Sequence, residues 1–78
     1  MPYSFDYLRT YRRMPWIRRG MRVLTCRGEG SVAGGSADGN VRVRLNGEQH
    51  SRIFHPHWQM CYYNNDGTIL QDYRKERP

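Results

Sequence analysis

A chain of 78 residues, 37% hydrophobic and 13% aromatic, is one small domain with a single compact core and is too apolar for intrinsic disorder. No apolar run reaches the roughly 18 residues of a membrane span, and the first residues lack the apolar stretch and cleavage site of a secretory signal. Two cysteines, Cys26 and Cys61, are too few for a disulfide framework, so a cytoplasmic protein with free thiols is expected.

The net charge of +6 is unevenly placed. Residues 1–22 hold six arginines against Asp6, residues 23–71 balance four against four, and residues 72–78 carry three cations against two acids. The sequence therefore divides into a basic helix and linker (1–19), a β-rich body (20–71) and a flexible charged tail (72–78). All the cations but Lys75 are arginine, whose planar fork suits phosphate and carboxylate.

In chain order, residues 4–13 predict a short helix. Ser4 is its N-cap and Asp6 lies in the first turn, where the helix dipole favours an anion. Tyr3, Tyr7, Leu8, Tyr11 and Met14 share a docking face, and Arg9, Arg12 and Arg13 share the other. Pro15 ends the element by disfavouring helical geometry at Met14. From Gly20 the pattern alternates. Strands are expected over Met21–Cys26, Ser31–Gly34, Asn40–Leu45, Gln49–Phe54 and Gln59–Tyr63, with a short edge strand over Thr68–Leu70. Gly35–Gly39, Asn46-Gly47 and Asn64–Gly67 carry turn chemistry.

A three-residue loop, Leu45–Gly47, pairs Arg44 with Glu48, which would partly neutralise it, and pairs Arg42 with His50. This register sets Ile53 beside Val41 and Val43 and keeps Arg52 with Arg42 and Arg44. The two-residue alternative would place Arg52 on the valine face, at a cost of several kcal/mol if it were buried there.

Five short strands with His55-Pro56-His57-Trp58 as the turn before the last are the order of an SH3-like small barrel: mainly β, with a short N-terminal α-helix. On this reading Trp58 plugs the end of the barrel. The stretch from Gly20 to Tyr63 resembles small proteins of phage and prophage genomes. Its matching features are glycine-x-Arg-Val, the Gly-rich turn, the strand ending in leucine-x-Gly-Glu, His-Pro-x-Trp and the aromatic last strand. With the aromatic N-terminal helix, Met-Pro and basic linker, the resemblance covers residues 3–63 and implies an SH3-like fold and a phage or prophage origin. It implies no established activity. A remoter resemblance is to type II dihydrofolate reductases, short SH3-like chains with a Val-Gln-Ile-Tyr motif. Ser51-Arg52-Ile53-Phe54 keeps only the isoleucine, and the ligand-binding groups are missing.

His50, His55, His57, Cys26 and Cys61 are enough in number for a zinc site but lack paired short spacings, and both cysteines read as small buried thiols. Cys61 has no basic neighbour in sequence to activate it, and the glycines of GEGSVAGG are followed by neither the Lys-Ser/Thr nor the helix of a phosphate loop. The sequence thus points to a non-enzymatic protein without metal or cofactor, and two partner classes remain. Arg42, Arg44 and Arg52, with His50, would form a positioned patch for nucleic acid, and Arg9, Arg12, Arg13, Arg18 and Arg19 would supply attraction. Alternatively, Tyr62, Tyr63, Trp16 and Phe5 would grip an acidic host or virion protein, or a second copy of the chain. Nucleic acid is slightly favoured.

Overall fold

The computed structural model describes residues 5–36 and 38–74. Among them one short helix, α1 (Asp6–Thr10), precedes six strands: β1 (Arg22–Thr25), β2 (Gly28–Gly35), β3 (Val41–Leu45), β4 (Arg52–Phe54), β5 (Cys61–Tyr63) and β6 (Ile69–Asp72). They form one antiparallel sheet in the order β4-β3-β2-β1-β5-β6. The chain is therefore mainly β, as expected, with six strands where five define the expected barrel. β6 sits at the edge, as the Thr68–Leu70 pattern suggested, but runs on to Asp72. Tyr73 then joins the core, its backbone N–H donating to the Met60 carbonyl at 2.7 Å. The body thus extends beyond residue 71, and residues 75–78 of the expected tail lie outside the described residues. No helix among the described residues is long and apolar enough to cross a membrane.

α1 is half the expected length. Tyr3 and the Ser4 cap lie outside the described residues, and Phe5 precedes the helix without a side-chain cap. The Tyr7 carbonyl accepts from Tyr11, and Arg13 turns left-handed at φ 57°, which reverses the chain and drops Met14 into the core. Only Leu8 of the helix is buried. Tyr7 and Tyr11 are 44% and 73% exposed, so the aromatic stripe expected to dock does not. One turn and a half is too short to hold a whole stripe against the sheet, and the following segment supplies the apolar cover instead through Met14, Ile17 and Met21.

That cover rests on Val23, Val32, Val41, Val43, Leu45, Met60 and Tyr62, with Tyr73 at the rim. The β1–β2 hairpin turns through Cys26 and Arg27, where the Thr25 hydroxyl donates to the Gly28 carbonyl and accepts from the Arg27 N–H. Cys26 is consequently exposed on the turn, and only Cys61 is the buried thiol expected of both.

The β3–β4 register differs from the expected one. Val41 pairs with Phe54, Arg42 with Ile53 and Val43 with Arg52. The chain does not re-enter the sheet until Arg52, so the Asn46-Gly47 turn opens a longer excursion than a three-residue hairpin. Ile53 shares the outer face with Arg42 and is 58% exposed. Arg52 shares the valine face and yet is not buried, because β4 is an edge and the side chain turns back onto Glu48.

Trp58 does not plug the core; it is 49% exposed. Pro56 takes the interior position, and the Tyr62 hydroxyl donates to its carbonyl at 2.8 Å. Tyr62 is fully buried with Trp16 edge-on at 5.0 Å, which removes it from the aromatics able to grip a partner. Phe5 and Trp16 are half-buried against the core.

Candidate nucleic-acid interface

On the outer face of the sheet, alternate residues of β2 and β3 face away from the core. Ser31 lies opposite Arg44, and Arg42 follows two residues earlier on β3. A bulge between Val32 and Gly34 shifts the register beside them. Arg19, in the segment leading into β1, donates to the Ala33 carbonyl at this bulge. The excursion between β3 and β4 brings Gln49, His50 and Ser51 up to the opposite wall. The result is a basin of about 580 Å³ whose cationic groups are Arg19, Arg42 and Arg44, with no carboxylate among the described residues that line it.

The arginines are held differently. Arg42 closes its fork on the Ser51 hydroxyl, Nε at 3.2 Å and Nη2 at 3.1 Å. Arg44 is exposed. Glu48, expected opposite Arg44, instead accepts from Arg52 Nε at 2.8 Å and Nη2 at 3.1 Å. This pairing holds the Glu48 carboxyl below the usual carboxylate range and raises the Arg52 guanidinium above its own. The basin therefore escapes the neutralisation that the expected register would have imposed.

Of the eight arginines singled out in the sequence, the fold brings together Arg19, Arg42 and Arg44 and separates the rest. Arg52 lies across the sheet in its ion pair. Arg9 donates to the Ile17 carbonyl through Nη2 at 2.9 Å, and its guanidinium lies 5.2 Å from the Phe5 ring centre. Arg12 donates from Nε to the Gly39 carbonyl at 3.1 Å. Arg9 thus ties the helix to the linker, and Arg12 fastens the N-terminal segment to the body. Arg18 donates to the Asn65 side chain, and Arg13 is exposed on its left-handed turn. Sequence reasoning missed Ser31, Gln49 and Ser51. Ser31 was accessible from the β2–β3 alternation, whereas Gln49 and Ser51 depend on the unanticipated excursion.

The two histidines of the His55-Pro56-His57-Trp58 turn differ in setting. His55 is exposed, and its pKa is lowered by partial burial and by the neighbouring Arg12 and His57. His57 is half-buried, stacks on Tyr73 at 4.4 Å and has Nε2 3.0 Å from the Arg12 carbonyl. Among the described residues no three of His, Cys, Asp and Glu gather in a cluster able to hold a metal. Compared with known proteins, the chain matches no family model, no curated protein and no solved structure.

Proposed function

We propose that this chain is an SH3-like small barrel that binds nucleic acid without catalysis, using the Arg19–Arg42–Arg44 basin for phosphate. The observation that carries the reading is the convergence of three arginines, Arg42 and Arg44 from β3 and Arg19 from the segment before β1, on a concave surface with no carboxylate among the described residues that line it. Guanidinium forks suit phosphate oxygens, and phosphate contacts give affinity without sequence readout. The barrel assignment draws support from the β4-β3-β2-β1-β5 order and from the Pro56 turn before the strand that returns to β1. β6 is then an addition beyond the five. A phage or prophage origin rests on the resemblance of residues 3–63.

The test is fluorescence anisotropy with labelled DNA and RNA at about 50 mM salt, where phosphate contacts are strong. Substituting Arg19, Arg42 and Arg44 together by glutamine should weaken binding at least tenfold, at about 1.4 kcal/mol per tenfold step, with little change in melting temperature. No binding by the wild-type protein would end the proposal.

The rival, a grip on an acidic protein, draws on the same cations with different aromatics. Tyr7, Tyr11 and Trp58 are exposed, whereas Tyr62 is not. Capture of a partner that survives nuclease treatment would favour it.

A further inference from the structure

We infer that β3 carries a track for single-stranded nucleic acid, with phosphates taken by the arginine basin on its outer face and bases by the Tyr7–Tyr11 pair beside Gly39 at the start of the strand. This deepens the proposed function and rests on it.

The track is built in rows. Arg44 lies opposite Ser31, and the next row holds Arg42 opposite the exposed Ile53. His55, two residues beyond Ile53, continues that face, and Arg12 stands close enough to influence its charge. The Arg12 backbone reaches the His57 ring, and its guanidinium lies 5.9 Å from the Tyr7 ring centre. Tyr7 and Tyr11 stand 4.9 Å apart, tilted 38°. Tyr7 is seated rather than loose: a Cβ on Gly39 would lie 2.3 Å from one of its ring carbons, so only glycine admits the ring there.

Gly39 precedes β3 by two residues, and Arg44 is the fourth residue of that strand. The tyrosines and the basin therefore mark its two ends, roughly 17 Å apart at the rise of a strand, a span of about five stacked nucleotides at 3.4 Å each. Cations run along the interval and apolar rings stand exposed at its end. That combination fits a polyanion whose bases have free faces. A duplex hides those faces in its stack, whereas a single strand offers them to aromatic side chains.

The experiment titrates the full-length protein with fluorescein-labelled oligothymidylate and oligouridylate of about twelve nucleotides, and with a duplex of the same length, at about 50 mM salt. Single strands should bind about tenfold or more tighter than the duplex, and Tyr7→Ala/Tyr11→Ala should lose about tenfold on single strands with the duplex unaffected. Tyr11→Ala alone removes the more exposed ring without disturbing the Gly39 seat, and should lose about fivefold. Equal binding of duplex and single strand, or wild-type affinity in Tyr11→Ala, overturns the track. If Arg42→Gln/Arg44→Gln still weakens binding severalfold in that event, the basin reading survives without it. Failure of every oligonucleotide to bind overturns both.

Discussion

The Tyr62 hydroxyl is buried in the core and donates to the Pro56 carbonyl, fastening the β4–β5 connection from inside. Tyr62→Phe leaves that carbonyl without its donor and should cost about 1–2 kcal/mol. Trp58→Ala, in the same connection but half exposed, should stay within about 0.5 kcal/mol of wild type. Urea midpoints at unchanged m-value measure both, and the reverse ranking would place Trp58 in the core. Burial, with a smaller contribution from Tyr73, also pushes the Tyr62 phenol far above the usual tyrosine range. The unfolded phenol releases its proton near pH ~10 while the folded one holds it, so the linked stability is complete below that pH and declines as pH rises beyond it. Melting temperatures taken between about pH 9 and about pH 11 should fall in wild type and fall less steeply in Tyr62→Phe. From sequence, Trp58 was the better plug on size alone. Composition does not reveal that a proline would fill the interior and send the indole outward.

At the scale of elements, β2 is twice as long as its pattern implied, because Gly28, Gly30 and Gly35, left outside the expected strand, lie inside it. Gly30 sits where the backbone of β3 passes closest: a Cβ there would lie 2.4 Å from the Arg44 carbonyl oxygen and 2.9 Å from the Leu45 Cα. Neither atom can swing aside as a side-chain tip would, so Gly30→Ala must spread two strands. The expected cost is about 3 kcal/mol, at the upper end of ordinary single substitutions. Gly47→Ala meets no atom within 4 Å and suffers only from its φ of +84°, a cost of about 1–2 kcal/mol. Comparative denaturation checks the ranking, and a neutral Gly30→Ala would contradict the β2–β3 packing. Strand existence and order were legible from alternation and turn residues, and all six strands overlap their expected stretches in place. The β3–β4 register was not. The expected register avoided burying Arg52, but an edge strand leaves a charge on its inner face free to fold back to solvent, as Arg52 does onto Glu48.

For the whole molecule, a net charge of +6 says less than its distribution. The N-terminal concentration of arginine was plain in the sequence, but its use was not. Arg9 and Arg12 are drawn into backbone contacts, and Arg19 alone of that group reaches the basin. Salt dependence separates placed charge from total charge. If Arg19, Arg42 and Arg44 each neutralise one phosphate of a single strand, log affinity should fall with log salt at a slope of about −2, taking about −0.7 per phosphate. Arg42→Gln/Arg44→Gln should reduce the slope to about −0.7. Arg52→Gln removes the same unit of net charge as either single substitution, yet its guanidinium is matched by Glu48, so the slope should stay near that of wild type. Anisotropy titrations between about 50 and about 200 mM salt cover the range in which such slopes are read. A slope that shrinks equally for Arg52→Gln and Arg44→Gln would mean that affinity follows net charge and that the basin holds no privileged position.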